Sequence, residues 1–237
     1  MARALRDVAG PNDPASRWRD LQRRAVAALV LAPLALAAVW LGGLTFGVMS
    51  AALGFGLSYE WMRLSKSRAG VPVLVIGIAW IWLCFIAIIA LRADPVAGRA
   101  NVMFVLLVVW ASDVGAYLAG RMIGGPRLAP RISPGKTWAG AAGGLVAAVA
   151  IGVIVARLTA EPADFGRAAA VAAALSVIGQ AGDLTESALK RHFGVKDSGR
   201  LIPGHGGLLD RLDAALAAVP AAALLANLIG PGVVLWR

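Results

Sequence analysis

Six of the 13 acidic residues of this chain, Glu60, Asp113, Asp183, Glu186, Asp210 and Asp213, lie within or at the ends of long apolar stretches. A carboxylate well inside a bilayer costs about 2.5–3.5 kcal/mol on insertion scales, so it normally has a purpose there. Asp183, Glu186, Ser187 and Lys190 fall at i, i+3, i+4 and i+7, which puts them on one face of a helix. Asp210 and Asp213 share a face in the same way, and Trp110, Asp113 and Tyr117 repeat the pattern upstream. Carboxylates carried by separate helices near one membrane face would repel one another. A divalent cation removes that repulsion, and hard oxygen donors suit Mg²⁺. The bland alternative is pairing with nearby Lys and Arg. For Glu60, with Arg63 one turn on, both readings stand; Asp183 and Asp210 have more specialised neighbours.

Those neighbours are two basic loops. The first, about 121–136, ends Ile132-Ser133-Pro134-Gly135-Lys136-Thr137. Gly-Lys-Thr is how a P-loop ends, but that motif needs a glycine where this chain has Pro130, and no strand is expected before it. The P-loop reading is rejected. Lys136, Ser133 and Thr137 still form a phosphate-friendly group. A helix starting near Pro134 would add the partial positive charge of its N-terminus. The second loop, about 190–207, runs from Lys190-Arg191 through Lys196-Asp197 to Pro203-Gly204-His205-Gly206-Gly207, then straight into Asp210-Arg211-Leu212-Asp213. Glycines bare the backbone, which can then approach a phosphate closely. The chemistry suggested is a polyphosphate held by Lys, Arg and loop amides, above metal-bearing acids one turn into the membrane. His205 has a loop-capping or a binding role; His192 reads as an interfacial residue.

Composition states what must position these groups. The chain has 237 residues, 59% apolar and 15% charged, with a mean hydropathy of +0.74. Soluble domains carry roughly 25% charged residues, and disordered chains lack so much Leu, Val and Ala. The formal charge of +10 is compatible with a nucleic-acid binder, but here it sits in short islands between apolar runs, so no nucleic-acid partner is expected. The fold class predicted is all-α, a polytopic transmembrane bundle of about seven spans. They lie near 25–43, 44–62, 71–91, 101–120, 137–157, 167–189 and 208–230, each about the length a bilayer requires. Residues 1–24 are polar and show no secretory pattern, so they read as a cytoplasmic N-terminal segment before an integral-membrane domain over 25–237. The single Cys84 excludes an intrachain disulfide, and one Cys with two His disfavours structural zinc. Eighteen of the 23 Lys and Arg fall in 1–24, 63–68, 121–136 and 190–211, one side of the membrane in a seven-span count. That bias puts the N-terminus and both basic loops in the cytoplasm. Gly140-xxx-Gly144 permits close helix contact, within the chain or in a homodimer.

Taken together, Asp113-Val114-Gly115-Ala116-Tyr117, Ser133-Pro134-Gly135-Lys136-Thr137, Gly182-Asp183-Leu184 with Glu186-Ser187, and the run from Lys190-Arg191 to Asp213 resemble phosphatidate cytidylyltransferases, the CDP-diacylglycerol synthases. The resemblance covers about 110–213, with Tyr59-Glu60-Trp61 as a further likeness. The family usually has Glu where this chain has Ala139, and its members often have more spans in the N-terminal half. The resemblance implies condensation of CTP with phosphatidate to CDP-diacylglycerol and pyrophosphate, with Mg²⁺ and room for a second cation, at a bacterial cytoplasmic membrane. It implies Asp183 and Asp210 as metal ligands and Asp213, Lys190 and Arg211 as catalytic companions. Substrate would be held by Ser133, Lys136, Thr137, Arg191, Lys196, Asp197, His205, Gly206, Gly207, Asp113 and Glu186. The alternatives are a CTP-dependent polyprenol or phytol kinase, which would release CDP, and an ion-coupled transporter, which would need its acids near the bilayer midplane.

Overall fold

The computed structural model describes residues 32–65, 70–158, 164–199 and 206–237. Among them are seven helices and one short hairpin: α1 (Ala32–Leu41), α2 (Gly43–Ser65), α3 (Val71–Ala93), α4 (Gly98–Met122), β1 (Arg127–Ala129), β2 (Ser133–Thr137), α5 (Trp138–Leu158), α6 (Phe165–His192) and α7 (Leu209–Ile229). A helix stands at each of the seven places expected, the first described from Ala32 onward. Five of them, α3 to α7, are long and apolar enough to cross a membrane. Their outer faces expose residues such as Ile76, Val146 and Leu228. In water this would be a large unpartnered apolar surface, so the protein is an integral membrane bundle.

Start and stop signals follow local chemistry. Thr137 ends β2 and caps α5, its hydroxyl accepting the Gly140 N–H at 3.0 Å. Asp164 caps α6 through the Arg167 N–H at 3.0 Å. The fifth span opens at Trp138, in line with the expected 137–157, so the helix N-terminus does not reach back to Pro134. Pro134 lies in the second strand of an antiparallel hairpin that pairs Arg127 with Thr137 and Ala129 with Ser133. A strand does precede Gly135-Lys136, which the sequence did not announce, but it pairs locally and Pro130 still bars the P-loop.

Two buried clusters hold the bundle. One gathers α4, α5, α6 and α7 around Phe104, Val105, Val108, Ala172 and Ala218; the other joins α2, α3 and α7 through Leu57, Trp61, Ile81, Phe85 and Leu216. The α4–α5 contact is the closest. A Cβ on Gly143 would stand 2.2 Å from the Ala119 Cβ, and one on Gly115 would stand 2.5 Å from the Ala147 Cβ. Gly140 and Gly144 face the Ala116 and Ser112 carbonyls in the same seam, so that small-residue face is buried inside the chain. Ser112 and Ser176 then share a 2.8 Å hydrogen bond between α4 and α6.

Candidate active site

At the end of the bundle where α4 and α6 finish and α5 and α7 begin, a polar cavity of about 610 Å³ opens. Its walls carry Asp113 and Tyr117 from α4, Gly135, Lys136 and Thr137 from the hairpin, Gln180, Asp183 and Lys190 from α6, and Asp210, Arg211 and Asp213 from α7. Asp113 and Asp183 each stand nine residues before the end of their helix, and Asp213 four after the start of its own. With a rise of about 1.5 Å per residue, Asp113 and Asp183 lie about 14 Å inside the ends of α4 and α6, nearer the helix midpoints than the ends, and Asp213 about 6 Å inside the start of α7. The α6–α7 approach that joins them depends on Gly182, where a Cβ would stand 2.5 Å from the Ala217 Cβ and 3.0 Å from the Asp213 carbonyl.

Two ionic groupings organise the cavity. Lys136 pairs directly with Asp183, and Ser187 Oγ reaches Asp183 Oδ1 at 3.5 Å. The Asp183 carboxylate in turn acts electrostatically on both Asp113 and Asp213. Two turns along α6 from Asp183, Lys190 Nζ bridges Glu186 Oε2 and Asp210 Oδ1, each at 2.6 Å. Asp210 is the most engaged carboxylate. Its Oδ2 accepts the Gly207 N–H at 2.9 Å and the Ser198 N–H at 3.1 Å, and its Oδ1 has, besides Lys190, a 3.3 Å contact with the same Ser198 amide. Gly206 reaches this turn with φ near +80°, a conformation glycine adopts without strain.

The donor set bears on a metal. Along the cavity wall the four carboxylates of Asp113, Asp183, Asp210 and Asp213 meet four cations, Arg121, Lys136, Lys190 and Arg211. Glu186 Oε1 is buried with no hydrogen-bond partner. Among the described residues no three acidic, His or Cys side chains already form a cage. The oxygen-only donors thus fit a hard cation, held by few protein ligands and completed by substrate oxygens.

Other expected residues fall elsewhere. Glu186 points away from the polar cavity into an adjoining apolar one of about 540 Å³, lined by Trp61, Ile76, Trp80, Ile81 and Leu216 and sharing Asp213 with the first. Arg191 donates from Nε to the Ile132 carbonyl at 3.1 Å and from Nη1 to the Val195 carbonyl at 3.0 Å, which ties the hairpin to the end of α6. Lys196 and Asp197 are exposed and do not line the cavity; Ser133 lies on β2, likewise outside the lining. His205 lies outside the described residues. Sequence reasoning missed Gln180, whose Nε2 donates to the Ala141 carbonyl at 3.2 Å and to Ser176 Oγ at 3.1 Å. Its position three residues before Asp183, on the same helical face, was the available signal.

The sequence profile described as the cytidylyltransferase family matches residues 83–229, which contain every element of the cavity. The chain belongs to the cytidylyltransferase family. Among curated members, it is 39% identical over 245 residues to the phosphatidate cytidylyltransferase of Brucella suis biovar 1 (strain 1330), covering 84% of this chain and 90% of that one. It is 41% identical over 150 residues to the one from Bacillus subtilis (strain 168), covering 63% and 56%. With the one from Haemophilus influenzae it shares 47% over 131 residues, covering 54% and 46%. Within this cytidylyltransferase, Ala139 stands between Thr137 and Gly140 at the start of α5, so that wall gains no carboxylate there.

Proposed function

We propose that this cytidylyltransferase condenses CTP with phosphatidate, giving CDP-diacylglycerol and pyrophosphate for phospholipid synthesis. The observation that carries the reading is the pair of adjoining cavities, one polar and one apolar, which share Asp213. A phosphatidate has the same two halves. Its acyl chains suit the wall of Trp61, Ile76 and Trp80, and its phosphate suits the basic rim of the neighbouring cavity.

In the reaction an oxygen of the lipid phosphate attacks the α-phosphorus of CTP, the bond from that phosphorus to the bridging oxygen of the β-phosphate breaks, and pyrophosphate leaves. Both reactants are polyanions, so charge neutralisation and alignment do most of the catalysis. Lys136, at the end of the hairpin, and Arg211, in the first turn of α7, face the cavity as phosphate-binding cations. Lys190 holds Glu186 and Asp210 in place and adds a third positive charge. Thr137 holds the start of α5 against the same wall, and the Gly206-Gly207 backbone turns Asp210 inward. Asp183 and Asp210 would hold Mg²⁺, with Asp213 and Asp113 close by. The ion would supply Lewis-acid charge at the reacting phosphates.

In this reading the site faces the cytoplasm of a bacterial inner membrane, where CTP is available, and the excess of Lys and Arg around this end of the bundle supports it. A homodimer would have to use a face other than Gly140-xxx-Gly144, which the α4–α5 seam occupies. Purified protein in micelles, given phosphatidate, labelled CTP and Mg²⁺, is expected to form CDP-diacylglycerol and pyrophosphate. Release of CDP from a lipid alcohol would identify a kinase instead. The transporter alternative gives no reason for the basic residues Lys136, Lys190 and Arg211 beside the acids.

A further inference from the structure

Glu60 is the one acid of the original six that lines neither cavity. It is only 2% exposed, in the middle of Tyr59-Glu60-Trp61 on α2. Of the two readings open for Glu60, pairing with Arg63 does not form: that guanidinium lies over the Tyr59 ring, 5.7 Å from its centroid. Glu60 reaches the signature loop instead. Its Oε2 accepts the Leu209 N–H at 2.9 Å, at the positive N-terminus of α7, and the Ser198 hydroxyl at 3.4 Å. Two glycines let the backbone close on the carboxylate. A Cβ on Gly199 would stand 2.7 Å from Oε1, and one on Gly207 would stand 2.8 Å from Oε2 and 1.9 Å from Ser198 Oγ.

The arms that meet Glu60 are the arms that hold Asp210. Ser198 gives its hydroxyl to Glu60 and its amide to Asp210, while Leu209 and Gly207, two residues apart, do the same with their amides. We propose that Glu60 is a positioning residue that clamps the 198–199 and 207–209 arms from α2, and so sets where Asp210 and its partner Lys190 stand in the cavity. Through it, a helix with no side chain in the polar cavity controls how that cavity meets CTP. This rests on the function proposed above for the substrate, but the clamp itself is structural and can be read without turnover.

The test uses the full chain in detergent micelles. In E60A, the kcat/KM for CTP is expected to fall at least tenfold while the thermal midpoint moves by only a few degrees. E60Q is expected to recover most of that loss, because its carbonyl still accepts the Leu209 amide. S198A should lower activity mildly, and E60A/S198A should be no slower than E60A, since both changes remove the same clamp. Hydrogen exchange of the 195–210 segment is expected to quicken in E60A and to stay slow in E60Q. Unchanged exchange and unchanged kcat/KM in E60A would overturn the proposal. So would multiplicative losses in E60A/S198A, or activity that simply follows the folded fraction. A wild-type protein that makes no CDP-diacylglycerol would remove the substrate reading alone, while the exchange result would still decide the clamp.

Discussion

Lys190 is a buried cation between two buried carboxylates, its side chain 11% exposed and theirs 9% and 13%. Removing one partner from such a group leaves uncompensated charge and costs about 3–5 kcal/mol. K190M is therefore expected to destabilise the protein by at least about 3 kcal/mol in that range, and K190M/E186Q to regain part of it, as chemical denaturation in micelles would report. Asp183 has a different burden. It pairs with Lys136 and acts on Asp113 and Asp213 across three helices. D183N keeps the shape and removes the charge, so the rate of CDP-diacylglycerol formation should fall about 10²-fold or more, the scale on which preorganised electrostatic groups act. A wild-type rate in D183N would remove Asp183 from the mechanism.

At the scale of elements, the site depends on how closely α4, α5 and α6 approach. Gly115, Gly140, Gly143 and Gly144 let α4 and α5 touch along their backbones, which brings Asp113 to the same cavity as Lys136 and Thr137. G143V would place methyl groups where the Ala119 side chain already stands. Overpacking of this kind costs about 1–3 kcal/mol, and because it splays the two walls apart it should also lower activity beyond the loss of folded protein. The seven helices were legible because long apolar runs with polar joints leave no other option in a bilayer. The hairpin was not. Arg127–Ala129 and Ser133–Thr137 are short and polar, contain Pro134, and carry no apolar alternation. Their strand geometry comes from their pairing with each other, Arg127 with Thr137 and Ala129 with Ser133.

Across the whole molecule, the end opposite the site is tied by polar contacts to the C-terminal residues. Asp94, between α3 and α4, accepts the Gly232 N–H at 2.6 Å and the Ala97 and Val96 amides at 2.8 Å each. Asn101 accepts the Leu235 N–H at 2.9 Å, and Trp236 stacks on Phe104 with centroids 4.7 Å apart. The Gly232 amide, with those of Ala97 and Val96, holds the Asp94 carboxyl below its ordinary value of 3.8. A carboxyl whose folded value is depressed stabilises the folded state above the unfolded value and loses that contribution as pH falls through the folded one. Acidification below pH 3.8 should therefore loosen the tail. D94N should remove that part of the pH dependence, which thermal midpoints measured across the range would show.

The sequence by itself determined that this is a membrane-embedded helical bundle, and that its acids fall in sets that share helix faces. Those conclusions need only solvation and spacing: apolar runs must be helices in lipid, and acids at i and i+3 must share a face. It also marked Asp113, Lys136, Asp183, Lys190, Asp210, Arg211 and Asp213, all of which line one cavity. Tertiary structure decided the partners. Glu60 turns to the Leu209 amide rather than to Arg63, Arg191 to the hairpin rather than to the cavity, and Glu186 to the apolar side. Such choices depend on which backbone donors and carbonyls are brought within about 3 Å by packing between residues up to 149 positions apart. Local spacing carries no information about that distance.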